Sequence, residues 1–339
     1  MTMSLKERQE ALKWVDIKNG TVDRRIFHSR EVYEMELEQI FARAWLFMCH
    51  ESQIPNPGDF FLNFMGEDRV IIVRDNDMGI QVLVNSCRHR GNAVCRADEG
   101  HATSFMCTYH GWTYDLKGAL VGVPGFKEVY HEELDRENWG LIKAPQVDSY
   151  KGFVFATMDE TAPNLHEYLS DGGRFGLDLI ADQGDMVMIG GVEKRTMQAN
   201  WKFPSDNTAD FYHSVTHVSA HLTTANAPGW GRRADTNQRV KKAGDNGRQR
   251  PGYAVLSEYG HVAGMSFLAP DWRETLKDEP IDAWRFKEGV QDKLGPVKSR
   301  ASGCMTNVFP NVHLPLLSQR GFLNPAGFFG FLSQRSQPL

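Results

Sequence analysis

Hydrophobic and polar positions change their period several times along the chain. Residues 29–45 place apolar side chains three and four positions apart with charged residues between them, which predicts an amphipathic helix. Two apolar runs rich in β-branched residues, 69–75 and 80–85, flank a polar turn and predict a β-hairpin. Two further segments continue the strand pattern: 140–145 and 152–158.

The pattern changes after residue 160. Residues 165–182 predict two short helical pieces, and the alternation in 186–201 predicts a strand. Residues 205–222 predict a helix that carries three histidines. Residues 229–253 are polar and rich in Gly and Arg, which favours a solvated surface loop over a lid or docking loop.

Composition narrows the class of protein. The 339 residues suggest about two domains. With 38 Lys and Arg against 43 Asp and Glu, the net charge of −5 argues against a nucleic-acid binder. No apolar run is long enough to span a membrane, and the N-terminus lacks an apolar signal core. Five cysteines argue against a disulfide framework, so we expect a cytoplasmic protein.

Two short Cys/His pairs form the strongest chemical signal. Cys87 and His89 are separated by one residue, and Cys107 and His110 by two, with 17 residues between the pairs. Such pairs can each present two ligands from one tight loop. A zinc site and a [2Fe–2S] cluster are both possible, but Cys alternating with His suits a cluster in which one iron binds both Cys and the other both His.

A second group of candidate ligands follows on the predicted helix. His213 and His217 are four residues apart and would share one helix face, which His221 continues. Two histidines and one carboxylate are the ligands of non-haem Fe(II) oxygenases. By itself this pair is weak evidence for a metal site and favours core or surface histidines over ligands.

The stretch CRHRGNAVC…CTYHGWTYDLKG resembles the Rieske domain of the alpha subunit of aromatic-ring-hydroxylating oxygenases, and the resemblance extends from about residue 25 to about 315. It implies a [2Fe–2S] cluster bound by Cys87, His89, Cys107 and His110. Thr108 departs from the family, which usually has Pro at this position.

Residues 200–217 resemble the mononuclear-iron segment of the same family. The resemblance implies that His213 and His217 bind Fe(II), that Asp210 hydrogen-bonds both an iron-ligating histidine and a cluster histidine of a neighbouring subunit, and that Asn207 lies near the iron. The two histidines are one residue closer than in the usual pattern, so His221 stays an alternative to His217.

The family's third iron ligand is a downstream aspartate that would lie beyond Leu339, and the last acidic residue here is Asp292. The sequence after about residue 315 no longer resembles the family. We therefore expect a chain that is truncated or frameshifted near 315, or one with an unusual natural extension. Glu258 or Asp271 could then supply the carboxylate.

The resemblance implies an α+β fold. An antiparallel β Rieske [2Fe–2S] domain (42–159) would be inserted in a larger helix-grip-like catalytic domain of helices and antiparallel sheet (160–339), incomplete at its C-terminus. Residues 1–41 would form a helical segment that packs on the catalytic domain.

The implied function is that of a terminal oxygenase alpha subunit, which uses O₂ to cis-dihydroxylate an aromatic ring. Electrons would come from NAD(P)H through a reductase, with or without a ferredoxin. A small beta subunit and an α₃ or α₃β₃ assembly would complete the enzyme. The alternatives are a Rieske monooxygenase or demethylase, or a chain that retains only the electron-carrying cluster.

Overall fold

The computed structural model describes residues 9–10, 12–188, 192, 194, 197–208, 252–316 and 330–331. Its strands are β1 (Val15–Asp16), β2 (Thr21–Val22), β3 (Leu46–His50), β4 (Asp59–Met65), β5 (Asp68–Arg74), β6 (Ile80–Val84), β7 (Glu99–His101), β8 (Phe105–Met106), β9 (Thr113–Tyr114), β10 (Leu120–Gly122), β11 (Gln146–Tyr150), β12 (Phe153–Thr157), β13 (Gly252–Leu256), β14 (Val262–Phe267), β15 (Ala301–Val308), β16 (Val312–Leu316) and β17 (Gly330–Phe331).

The α-helices are α1 (Arg30–Glu36), α2 (Leu165–Ala181), α3 (Lys202–Thr208), α4 (Trp272–Leu276) and α5 (Val290–Lys298). Short 3₁₀ helices form at Leu12–Trp14, Arg24–Phe27, Glu51–Gln53, Arg136–Trp139 and Pro280–Phe286. Within the described ranges, no helix has the length and apolar character needed to cross a membrane.

The first predicted helix is confirmed over most of its length. The Ser29 side chain accepts a hydrogen bond from the Val32 amide and caps α1. A π-helical turn (Leu37–Phe41) continues α1, with the Ala42 amide donating to the Leu37 carbonyl at 3.0 Å. The helix ends earlier than predicted because the chain then enters β3, in which all five residues are buried.

Two antiparallel sheets enclose the first core. One sheet has the order β6-β5-β4-β7 and the other β10-β9-β8. The predicted hairpin is confirmed: β5 and β6 pair in the register Arg74↔Ile80, and the Asp75 carboxylate accepts the amides of Asp77 and Gly79 in the turn. Apolar side chains of both sheets form one buried cluster, so this core lies between them.

The predicted strand at 140–145 is wrong. The segment makes one isolated bridge, Leu83↔Lys143, and the strand itself begins at Gln146. The predicted strand at 152–158 is confirmed as β12, which lies between β11 and β3. β3 and β12 share a second core with α2 and with β15 and β16.

The second half of the chain contains a five-stranded antiparallel sheet in the order β13-β14-β15-β16-β17. The two predicted helical pieces form one helix, α2, kinked at Ser170 (φ 46°, ψ −165°). α2 packs against β14 and β15.

A glycine allows α2 to lie close to the sheet. A Cβ at Gly176 would lie 2.1 Å from the Thr306 methyl carbon, so only glycine permits this approach. Antiparallel sheets packed with helices confirm the predicted α+β class.

The predicted strand at 186–201 is absent from the described part of that stretch, whose residues lie in no strand. The predicted helix at 205–222 begins earlier, as α3. A buried carboxylate anchors the start of α3: Glu36 accepts hydrogen bonds from the Trp201 indole (2.8 Å) and the Lys202 ammonium (2.6 Å). This contact joins α1 to α3 across 165 positions of sequence.

Candidate metal centre

Two loops with the same backbone hydrogen bonds carry the Cys/His pairs. In the first, the Cys87 amide donates to the Asn92 carbonyl (2.9 Å) and the Gly91 amide to the Cys87 carbonyl (2.8 Å). In the second, the Cys107 amide donates to the carbonyl five residues on and the Gly111 amide to the Cys107 carbonyl, both at 2.8 Å. Each loop therefore closes on itself and holds its cysteine and its histidine on the same side of the loop.

A glycine closes each loop because the backbone there takes a positive φ. The value is 74° at Gly91 and 73° at Gly111, a region in which L side chains are strained. A Cβ at Gly111 would also lie 2.8 Å from the ring of Pro124. Local sequence thus dictates the loop shape before any metal binds.

The structure brings the four predicted ligands together, with the sulfurs inside and one histidine at the surface. Cys87 is 3% and Cys107 1% exposed. His89 is half-buried and His110 is exposed, and their ring centroids are 4.6 Å apart. An electron acceptor on the histidine side would therefore lie close to the protein surface.

Hydrogen-bond donors point at both sulfurs. The Tyr114 hydroxyl lies 3.3 Å from Cys87 Sγ and accepts the Arg88 amide at 3.1 Å. A thiolate has no proton to donate, so when Cys87 is ionised the hydroxyl donates to its sulfur. The Asn92 side-chain amide lies 3.6 Å from Cys107 Sγ and so connects the two loops. Both donors stabilise negative charge on the sulfurs.

The electrostatics favour ligand protonation states that bind metal. Burial by itself raises the pKa of Cys107, but the backbone amides of Tyr109 and His110 outweigh it, and the net pKa lies below that of a free thiol. Burial, and then the nearby His110, lower the pKa of His89. Metal ligands of these types must be thiolate and neutral imidazole.

Aromatic rings surround the histidines. The Trp112 ring stacks on His89 at 5.2 Å and 13°, and Trp139 meets Trp112 edge-on at 6.0 Å. Tyr109 lies against His110 with ring centroids 3.8 Å apart. Trp112 is only 3% exposed, so it shields His89 from solvent.

The donor set fits a [2Fe–2S] cluster better than a single ion. Among the described residues, no three His, Cys, Asp or Glu side chains converge as a single-ion site requires. A structural zinc site would need four ligands around one point, whereas the Rieske cluster needs only two protein ligands on each iron. His89 Nδ1 is buried without a hydrogen-bond partner, which leaves it available as a ligand.

The second predicted centre falls mostly on residues that the structure does not describe. Asn207 lies in α3, five positions after Lys202, the first residue of the helix. Asp210, His213, His217 and His221 lie outside the described residues. Glu258 and Asp271, the substitute carboxylates, are both exposed at the surface. The third iron ligand therefore stays unassigned.

Sequence reasoning missed three side chains of the first centre. Asn92 and Tyr114 reach the sulfurs, and Trp139 extends the aromatic contacts of His89 to the surface. The available signal was weak: a tyrosine on a buried strand needs a partner for its hydroxyl, but the sequence does not say which.

Comparisons with known proteins agree with this site. Residues 44–146 match the family model for the Rieske [2Fe-2S] domain. The chain is 42% identical over 246 residues to a biphenyl dioxygenase subunit alpha from Metapseudomonas furukawaii, covering 66% of this chain and 53% of that protein. It is 42% identical over 211 residues to a benzene 1,2-dioxygenase subunit alpha from Pseudomonas putida, covering 61% and 46%.

The fold comparison extends further along the chain. A crystal structure of naphthalene 1,2-dioxygenase from Rhodococcus sp. bound to indole superimposes with a TM-score of 0.76 at 32% identity, covering 92% of this chain and 69% of that one. The chain spans about half the length of the curated relatives it matches. The cluster loops, the fold and these relatives together show that the chain belongs to the family of alpha (large) subunits of Rieske-type aromatic-ring-hydroxylating dioxygenases.

Proposed function

We propose that this chain is the terminal oxygenase alpha subunit of a multicomponent dioxygenase that cis-dihydroxylates an aromatic ring with O₂. The observation that carries the proposal is the paired loop geometry, with two buried sulfurs, a half-buried His89 and an exposed His110. Relatives of this chain are named for biphenyl, benzene and naphthalene, which supports an apolar arene as substrate.

Cys87, His89, Cys107 and His110 would hold the [2Fe–2S] cluster. When bound, the cluster supplies one-electron transfer and the mononuclear Fe(II) supplies O₂ activation. The chain's own residues prepare the ligands: Tyr114 and Asn92 hydrogen-bond the sulfurs, and burial lowers the pKa of His89, which favours its neutral form. These contacts stabilise the ligand set in the form that binds metal.

The second centre would use His213 and His217 as Fe(II) ligands. Asp210 would hydrogen-bond His213 and the cluster histidine of an adjacent subunit, and Asn207 would lie near the iron. A carboxylate in this position fixes the imidazole tautomer and joins the two centres. Residues 1–41, 42–159 and 160–339 would be the helical segment, the Rieske domain and the catalytic domain.

The proposed enzyme needs other proteins. A reductase, with or without a ferredoxin, would deliver electrons from NAD(P)H, since the relatives are alpha subunits of multicomponent systems. A small beta subunit and an α₃ or α₃β₃ assembly would bring the cluster of one subunit to the iron of the next. We place the enzyme in the cytoplasm, where free thiols such as the five buried cysteines persist.

Metal and sulfide analysis of anaerobically purified protein tests the proposal. We expect ~3 Fe and ~2 acid-labile sulfides per chain, because the cluster alone accounts for two of each. Cys107→Ser should abolish the cluster absorbance. Cys95→Ser is the matched control, since Cys95 is also buried, at 7% exposed, and donates to the Ala97 carbonyl.

Single turnover of the dithionite-reduced protein with naphthalene and ¹⁸O₂ tests the reaction. Two labelled oxygens in one diol product support dioxygenation. One labelled oxygen would replace the proposal by a monooxygenase. A ratio near ~2 Fe to ~2 sulfides without product would leave only the electron-carrying cluster.

A further inference from the structure

An unbroken set of aromatic contacts connects His89 to the protein surface. Trp112, almost fully buried, stacks on the His89 ring. Trp139 touches Trp112 edge-on, and 37% of Trp139 is exposed. Trp139 ends the 3₁₀ helix Arg136–Trp139, whose start is capped by the Asp135 carboxylate. A capped turn holds the exposed indole in one place.

The surface beside Trp139 is positively charged on the side of the first cluster loop. The Arg88 guanidinium lies over the Trp139 ring, 5.7 Å from its centroid. Residues 85–97 contain three arginines, Arg88, Arg90 and Arg96, and no acid. Within the described part of the chain, none of the three forms an ion pair. Two acids, Asp98 and Glu99, follow this segment directly, so the excess of positive charge is confined to residues 85–97.

The turn that carries Trp139 has mixed charge, with Arg136 between the acids Asp135 and Glu137. Glu137 is exposed on the same turn, and the Asp135 side chain already accepts the Glu137 amide and the Asn138 side-chain amide. The Asp135 carboxylate is thus used within the turn, while Arg88 presents positive charge at the Trp139 ring itself. The positive side of Trp139 therefore fits an acidic partner.

The two histidines face different surroundings. The rings of Tyr109 and His89 lie against His110, which is exposed, and the proposed function has this histidine serve the iron of an adjacent subunit. His89 instead contacts the buried Trp112, which leads away from His110 to Trp139. An oxygenase that receives electrons while its His110 side is occupied needs a second route to the cluster.

We propose that Trp139 and Trp112 form the route by which an acidic iron–sulfur donor protein reduces the cluster through His89, with Arg88 and Arg90 binding the donor's carboxylates. The inference rests on the proposed function for the identity of the partner. The donor is oxidised by one electron and the cluster is reduced by one, and no bond forms or breaks.

Stopped-flow reduction of the full-length oxidised protein tests this route. The donor is photoreduced, acidic plant-type [2Fe–2S] ferredoxin, and dithionite is the small reductant. Trp139→Leu should lower the ferredoxin rate constant at least ~10-fold, and Trp139→Phe should restore most of it. The double variant Arg88→Gln/Arg90→Gln should lower the rate by ~10-fold or more at low salt and flatten its dependence on ionic strength. The dithionite rate should change less than ~2-fold in every variant.

The controls separate a local role from general damage. Trp14 and Arg25 form a comparable pair, with the guanidinium 4.1 Å from the ring centroid, in the N-terminal segment. Trp14→Leu and Arg25→Gln should leave both reductions unchanged. The visible circular dichroism and the reduction potential of the cluster should match the wild-type protein in all Trp139 variants.

Two results would overturn the route. The first is a wild-type ferredoxin rate in Trp139→Leu. The second is an equal slowing of Trp139→Leu reduction by ferredoxin and by dithionite, accompanied by an altered cluster spectrum. That result would show that Trp139 has a structural role. Neither readout requires O₂ or arene turnover. A protein that passes this test but forms no diol refutes the proposed oxygenase function and leaves the donor route standing.

Discussion

Removing one hydroxyl group beside the cluster gives a quantitative test of the site. Tyr114 is fully buried, and its hydroxyl lies 3.3 Å from Cys87 Sγ while accepting the Arg88 amide. Tyr114→Phe keeps the ring and its packing. It removes the hydroxyl, which is both the donor to the Cys87 sulfur and the acceptor of the Arg88 amide.

The expected shift of the reduction potential follows from the charge on that sulfur. A hydrogen bond to a charged group is worth about 1.5–3 kcal/mol. Reduction adds one electron to the cluster, so the bond is stronger in the reduced form, by an amount we take as about 1 kcal/mol. A tenfold change in equilibrium, 1.36 kcal/mol, equals about 59 mV for one electron. Tyr114→Phe should therefore lower the potential by roughly 40 mV.

Redox titration followed by visible circular dichroism measures this shift. Tyr109→Phe is the matched control because Tyr109 is 59% exposed and lies against His110 with its ring, which the substitution retains. Its potential should equal that of the wild-type protein. An unchanged potential in Tyr114→Phe, with iron and sulfide content intact, would refute the reasoning about the hydroxyl.

Three further substitutions test the packing that supports the site. Glu36→Ala leaves the half-buried Lys202 ammonium without its 2.6 Å partner and should lower the free energy of unfolding in urea by about 3 kcal/mol. His261→Gln should reduce the loss of stability in acid, measured as urea midpoints against pH. Burial lowers the pKa of His261 to about 4, so only the unfolded chain binds a proton as pH falls from 6.5. The free energy of unfolding of the wild-type protein should therefore fall by up to about 3 kcal/mol by pH 4. Gly176→Ala places a Cβ 2.1 Å from the Thr306 methyl carbon and should cost about 2 kcal/mol in thermal unfolding.

Matched substitutions define the results that would contradict these expectations. Glu10→Ala breaks an exposed ion pair and should cost less than about 0.5 kcal/mol, so an equal effect of Glu36→Ala would argue against a buried pair. A constant stability difference between wild type and His261→Gln from pH 7 to 4 would exclude His261 from the acid response. Equal stability of Gly176→Ala and Gly173→Ala, where the nearest atom is 3.2 Å away, would contradict the proposed clash.

Local features of this protein follow from its sequence. The β5–β6 hairpin is predictable because its alternation and its turn involve only neighbouring residues. The two metal-binding loops are predictable for the same reason: each pair of ligands is at most three residues apart, and a glycine supplies the positive φ that closes the loop. The fold class is predictable as well, from the resemblance of the sequence to a family.

Contacts between distant residues could not be predicted in this way. The strand pattern at 140–145 resembles that of β12, but the segment pairs with two different parts of the chain. The Ala144 amide donates to the Val82 carbonyl, whereas the Leu141 amide donates to the Gly118 carbonyl. Apolar alternation predicts burial, but a regular ladder also needs a partner strand with matching free backbone groups.

The environment of the cluster is decided by tertiary structure. Tyr114 reaches Cys87 across 27 positions, and Trp139 reaches Trp112 from a separate 3₁₀ helix. Glu36 finds Trp201 and Lys202 only because α1 and α3 meet in the folded chain. The sequence by itself determined which side chains can bind iron and sulfide, since that is a matter of residue type and short spacing. The fold alone decided which donors, rings and charges surround them, because those contacts arise from packing between elements that are far apart in the chain.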